Sequence, residues 1–431
     1  MKVGVFLSNF DPKIGGGYTF EWQIIQSILE IADQTHHQFF LLSFESQLPP
    51  DIRLPSSIKF VSLSRFYQYN FSSVLRIGFS VFLDRVRHAK IRFSLKYLAE
   101  IQSLINQEIL DAHGIEMVWS TATSCLTHRI PYITTVWDLE HRLQPYFPEI
   151  NAGVRWDIRE YLNSLDLQRA TFVVTGTKAG KAEIERFYQV SPERIRVIPF
   201  ATPQLNQIGN LPDRETVMNK YQLPDRYLFY PAQFWPHKNH INLLLALKLL
   251  RDKFNLDLSL VLTGSDPDGR LTYLQSTIAE LGLTDRVKIL GFVSQAELVV
   301  LYQNAFALTF VSFFGPDNIP PLEAFALGCP VVAAKVAGAE EQLGDAALLV
   351  DPKDEEQIAL AIASLYTDPD LRHSLIDRGR TRASKWTRTD YLQQVLTICD
   401  EFEKVRRCWN NNILKGSERP RLLKPGLPLT S

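Results

Sequence analysis

Short apolar runs alternate with longer segments of helical spacing through most of the chain. Runs rich in Val, Ile, Leu and Phe and bounded by turn residues are what parallel strands buried on both faces require. In the first half they fall at Val3 to Leu7, Phe39 to Ser43, Lys59 to Leu63, Met117 to Ser120, Tyr132 to Val136, Phe172 to Thr175 and Arg196 to Pro199. A second series follows at Leu228 to Tyr230, Leu258 to Thr263, Val287 to Leu290, Ala307 to Val311, Val331 to Ala334 and Ala347 to Val350. The polar, proline-bearing stretch from about Thr202 to Arg226 separates the two series and reads as a linker with an entering helix. The pattern predicts an α/β protein of two Rossmann-like units, with ligands at the carboxyl ends of the strands where the units face each other. No short repeat period is present, which argues against a solenoid. After Trp386, the spacing of Tyr391, Val395, Leu396, Ile398, Cys399 and Phe402 predicts a last helix.

Composition agrees with two domains. At 431 residues the chain exceeds one ordinary core, and 45% apolar residues suffice to fill two packed sheets. A formal net charge of -1 gives no whole-molecule attraction to nucleic acid or membrane, so any such attraction must be local. Four separated cysteines, Cys125, Cys329, Cys399 and Cys408, form no framework and suit a reducing compartment. Residues 1 to 8 are apolar too briefly for a signal peptide and read as a first buried strand. No apolar stretch reaches the roughly 20 residues that span a bilayer. A soluble or peripheral cytoplasmic protein is expected.

Candidate chemistry concentrates in residues 314 to 333. Pro320 and Pro321 pre-set helical φ, Gly328 stops the helix, and Pro330 opens an apolar strand. Glu323 is thus held at the open end of a helix, where outward N-H groups favour an anion. There it can take the hydroxyls of a ribose while the amides take a diphosphate, or it can simply complement the helix dipole. A strand ending at Ala232 and a helix beginning near Asn239 place Lys238 at a second helix start, where an ammonium can meet a diphosphate. His237 and His240 have metal-like spacing but no apparent partners, and read as surface residues at a helix entry; no metal is expected. Asp266-Pro267-Asp268-Gly269 and Asp368-Pro369-Asp370 read as turns. Gly15, Gly16, Gly17 and Tyr18 follow the first strand and allow close approach of a sugar or phosphate to the backbone.

Residues 314 to 333 resemble the Glu-containing donor motif of the retaining glycosyltransferases of family 4, which have the two-Rossmann GT-B fold. Tyr230 to Asn239, Val287 to Val293 with Glu297, Leu298, Leu301 and Tyr302, and Gly338 to Pro352 with Glu341 resemble further segments of that family. The resemblance is dense from about residue 170 to 390. It implies an acceptor domain over 1–203, a donor domain over 204–388 and a helix over 389–405 crossing back to the first domain; the basic, proline-bearing composition of 406–431 reads as a disordered tail.

The resemblance places Glu323, Gln233, Lys238, Asp317, Asn318, Ile319, Gly264, Gly291 and Phe292 at the nucleotide-sugar donor. It puts Gly15, Gly16, Gly17 and Tyr18 in an acceptor or phosphate loop. Lys238, Asp138 and His141 are the catalytic candidates, a structural role for His141 remaining equally open. No cofactor is implied, and the partners are a nucleotide sugar and a glycan or lipid-linked acceptor. Three departures stand out: Gln233 replaces an Arg, Gly315 replaces a Glu, and Trp137 replaces the His of a His-Asp pair. Related readings are a sugar-nucleotide 2-epimerase and a silent nucleotide-sugar-binding subunit.

Between Arg65 and Lys96, seven cations stand against the single carboxylate of Asp84, interleaved with aromatic residues. This segment suits an anionic membrane face or a lipid-diphosphate acceptor, or else a solvated helix.

Overall fold

The computed structural model describes residues 1–8, 10–12, 15–49, 52–64, 91–205, 209 and 211–409, with the backbone alone over 91–101. The first sheet contains β1 (Lys2–Phe6), β2 (Gln38–Ser43), β3 (Lys59–Ser62), β4 (Met117–Ser120), β5 (Tyr132–Val136), β6 (Phe172–Thr175) and β7 (Ile195–Val197). The second contains β8 (Tyr227–Pro231), β9 (Ser259–Thr263), β10 (Val287–Ile289), β11 (Ala307–Phe310), β12 (Val331–Ala334) and β13 (Ala347–Val350). Each apolar run of the sequence becomes a strand, because a continuous run buries both faces of a parallel sheet.

The sheets run β3-β2-β1-β4-β5-β6-β7 and β10-β9-β8-β11-β12-β13, and every pairing is parallel. In register, Val5 lies between Leu41 and Trp119, and Leu228 lies between Leu260 and Ala307. The winding direction reverses between β1 and β4 and between β8 and β11. Loops leaving those strands cannot cover the crevice between them, so each sheet opens a ligand site there.

One face of the first sheet shares its core with the second unit, the two joining around Phe20, Phe200 and Tyr391; the other face packs separately around Leu42, Val118, Leu167 and Ile184. The last helix, Arg388–Arg406, starts with a Thr387/Asp390 capping box, which satisfies two otherwise unpaired backbone donors. It crosses back onto the first unit. Trp386 Nε1 donates to Pro199 O at 2.7 Å, the buried Tyr391 ring lies edge-on 5.5 Å from Phe20, and Arg388 pairs with Glu30.

Order persists past the expected start of the tail. Arg406 is buried and donates to Trp409 O at 2.7 Å, and the Trp409 ring packs 5.9 Å from Phe402. The rest of the tail, and the basic aromatic segment through residue 90, lie outside the described residues. Among the described residues, no helix is long and apolar enough to cross a membrane.

Candidate active site

The two sheets present their crevices to one cleft of about 720 Å³, on the scale of a nucleotide-sized ligand site. From the second unit it is lined by the loop after β8, the loop after β11 and the start of the helix Ile319–Leu327; from the first, by the glycine loop after β1 and the segment after β5.

The anion end lies on the second unit. Asn239 adopts φ 60°, and its side-chain amide donates to Val311 O at 2.8 Å and to Pro352 O at 2.6 Å. That fastening fixes the loop before it, so Lys238 lines the cleft with its ammonium 5.6 Å from the Phe310 ring centre. Burial pulls the Lys238 ammonium below its ordinary pKa, against the opposing carboxylates of Glu140, Asp138 and Glu149. Glu140 moves the other way, pushed up by burial and by the Asp138 carboxylate. First-unit carboxyls thus lie close enough to influence the ammonium across the cleft.

Glu323 lines the same cleft from the helix Ile319–Leu327, where both prolines stand in the first turn and Gly328 closes the end at φ 72°. Its Oε2 accepts from Tyr302 Oη at 2.8 Å. Burial pushes the Glu323 carboxyl up to about 7, although the tyrosine hydrogen bond favours its charged form. The absent Glu at position 315 has a geometric cause. Gly315 sits at φ 132°, and a Cβ there would come within 2.3 Å of Asn318 Oδ1. Asn318 instead donates to Gly315 O at 2.7 Å and closes the turn.

Several sequence-assigned residues meet in this cleft: Gly15, Gly16, Gly17, Tyr18, Asp138, Gln233, Lys238, Gly264, Phe292, Asp317, Asn318, Ile319 and Glu323. Gly291 is not among the lining residues; its carbonyl accepts from Gly264 N at 2.9 Å. Nor is His141, which is fully buried in the first unit, 2.9 Å from Tyr188 Oη and 3.3 Å from Glu160. Burial lowers its pKa to about 4. Asp138 stays in the cleft, tied to Arg159 and accepting from Glu140 N at 2.9 Å. Burial acts to raise its pKa, but Arg159 and that N-H outweigh it and the carboxyl ends below its ordinary value.

His237 and His240 are both buried, contrary to the surface placement expected from sequence. His237 donates its backbone N-H to Glu149 Oε1 at 3.0 Å, and its Nδ1 lies 2.6 Å from the same oxygen and 3.4 Å from Glu140. Glu140, Glu149 and His237 bring three potential ligand atoms within 4.8 Å of one another, a place in the cleft that could hold a cation. Sequence reasoning missed Glu140, Glu149, Arg155 and Arg159, which come from turns and helices of the first unit with no motif of their own.

The units are fastened to each other by polar contacts around the cleft. Asp317, which lines the cleft, also reaches across the boundary: its Oδ2 accepts from Phe200 N of the first unit at 3.4 Å, and Gln342 binds its Oδ1. Both Glu341 oxygens accept from Lys178 N at 2.9 Å, at the start of the helix Lys178–Tyr188. That position satisfies an open helix donor across the boundary. Arg155 pairs with Asp268 at 3.2 Å on the far side.

Two facing Rossmann-like units, a cleft at both strand-order reversals and a helix that returns to the first unit define the GT-B arrangement. The profile of the family described as Glycosyltransferase Family 4 matches residues 59–201, and that of Glycosyl transferases group 1 matches residues 213–382. The chain belongs to the family 4 glycosyltransferases of GT-B fold. It is 30% identical over 251 residues to the O-antigen chain mannosyltransferase RfbU of Salmonella typhimurium, covering 57% of this chain and 65% of that one. It is 29% identical over 245 residues to the MMP alpha-(1->4)-mannosyltransferase of Mycolicibacterium hassiacum, covering 54% of this chain and 56% of that one. In fold it is similar to the sucrose-phosphate synthase of Thermosynechococcus elongatus, with a TM-score of 0.70 and 18% identity over 94% of this chain and 100% of that one.

Proposed function

We propose that this protein transfers a hexosyl group, mannose being the first candidate, from a nucleoside diphosphate sugar to a hydroxyl of a glycan or lipid-linked saccharide. The observation that carries the reading is the convergence of Lys238, Glu323 and the glycine loop of Gly15, Gly16 and Gly17 on one cleft between the units. An ammonium suits a diphosphate, and a buried carboxylate in the same cleft suits two ribose hydroxyls. Mannose is suggested by the names of the two relatives.

In this reading the reaction retains configuration and uses no metal. The bond from the sugar C1 to the diphosphate oxygen breaks, and the acceptor oxygen bonds to C1 on the same face. The acceptor proton passes to the departing diphosphate. Lys238 stabilises the charge developing on that diphosphate, and the cleft orients the acceptor. Gln233 brings no charge, so Lys238 carries the larger share. A cytoplasmic position peripheral to the membrane belongs to the same reading and rests on the basic aromatic sequence between Arg65 and Lys96.

The test has two stages. Thermal shift against UDP, GDP, ADP and dTDP selects the nucleotide, since a ligand at about 100 times its Kd stabilises the folded state by about 2.7 kcal/mol. The matching nucleotide sugars are then incubated with saccharide acceptors, with and without a chelator, and the anomeric configuration of the product is read by NMR. Inverted product, or loss of turnover with chelator, would overturn the corresponding part of the mechanism. Epimerised nucleotide sugar formed without acceptor would overturn the transferase reading.

A further inference from the structure

A second cavity, of about 740 Å³, opens beside the transfer cleft and shares no lining residue with it. The partition between them is aromatic. The Phe147 ring stands 6.1 Å from the ring of His237, which lines the cleft, and is stacked 5.9 Å from Phe313, which lines the second cavity. Gln144 spans the two units here, donating to Phe313 O at 3.0 Å. The wall thus bridges the two units.

Tyr146 gives this cavity its chemistry. It lines the space at 70% exposure, with its ring braced at 5.0 Å and a 44° tilt by Phe147. A large aromatic ring held open in a concave site is a platform for a ligand with an apolar face. The rim around it is polar and nearly balanced in charge: Lys335 and Lys353 stand with Asp351 and Gln357, and Lys335 is already paired with Glu340 at 2.9 Å. Such a rim gives a polyanion little purchase and suits a neutral ligand rich in hydroxyls. Pyranose rings combine an apolar C-H face with a hydroxyl edge, and the cavity is large enough for more than one of them.

We propose that this cavity is a second saccharide-binding site, which holds a part of the acceptor glycan remote from the sugar that receives the transfer, with Tyr146 as its stacking platform. The inference rests on the glycosyltransferase reading for the class of ligand. Its consequence is that long acceptors are used better than short ones, because binding energy from the remote sugars is applied to the reacting end.

The experiment uses the full chain as wild type, Tyr146→Ala and Tyr146→Phe. Binding of neutral α-mannan, α-glucan and β-glucan hexasaccharides is followed by saturation-transfer NMR, independently of turnover. Transfer to the best-bound hexasaccharide and to the methyl glycoside of its sugar is then compared. The expected result is hexasaccharide binding by wild type and Tyr146→Phe, with Tyr146→Ala lowering kcat/KM for the hexasaccharide about tenfold and leaving the methyl glycoside unchanged. No hexasaccharide binding by wild type, equal binding by Tyr146→Ala, or equal losses on both acceptors overturns the proposal. Hexasaccharide binding without any binding of a nucleoside diphosphate would leave the cavity standing and remove the transferase reading.

Discussion

Glu323→Gln should make the protein more stable at alkaline pH while weakening its grip on nucleotide. Burial raises the Glu323 carboxyl from its ordinary 4.5 to about 7, so the folded state holds the proton more tightly than the unfolded chain does. The stability tied to that proton is fully present below pH 4.5 and is lost as the pH rises to about 7. At about 1.4 kcal/mol per pH unit, the ionised carboxylate costs the fold about 3 kcal/mol above that range. Glutamine carries no charge at any pH and keeps an oxygen to accept from Tyr302, so it avoids the cost. Thermal denaturation should show little difference at pH 5, and a variant more stable by about 3 °C one unit above pH 7. Nucleotide affinity should move oppositely. Wild-type affinity should rise as the pH passes 7, because ribose hydroxyls donate most strongly to an ionised carboxylate, and the variant should lose about 1.5 to 3 kcal/mol of binding. A variant that is destabilised at high pH, or that binds nucleotide as wild type does, would refute the reasoning.

Three further outcomes are expected. Lys238→Ala should lower kcat by on the order of 10²-fold with a smaller effect on nucleotide affinity, checked by steady-state kinetics beside calorimetry; a change in KM alone would make Lys238 a ground-state binder. Gly176→Ala places a Cβ 1.5 Å from Asp317 Oδ2, so the carboxylate must leave the first unit. Small-angle scattering should then report a more open molecule, and turnover should fall several-fold with nucleotide affinity unchanged; an unaltered scattering profile would show that Asp317 does not fasten the units. Finally, changing Arg85, Arg87, Lys90 and Arg92 to Gln should reduce co-sedimentation with anionic liposomes at low salt, where each cation near the surface contributes about 1 kcal/mol. Equal sedimentation of the variant and wild type, or none by either, would remove the membrane role.

Much of this protein is local in origin and was legible in its sequence. The strands follow from continuous apolar runs, the helix bearing Glu323 from two prolines and Gly328, and the glycine loop from its place after β1. Short-range sterics and burial on both sheet faces decide such features without distant partners. The position of a side chain in the cleft is different, because it depends on how two units with separate sheets come together. Glu140 and His141 are neighbours in one helical turn, so they point to different sides: Glu140 enters the cleft and His141 turns to Tyr188. His237 reads as a helix-entry surface residue until Glu149, 88 residues earlier, covers it. Arg155 and Arg159 occupy the cleft and Asp317 crosses to Phe200 because of the docking of the two units. Sequence periodicity records which face of an element is buried; the tertiary structure alone decides what it is buried against, because that contact is set by packing between elements far apart along the chain.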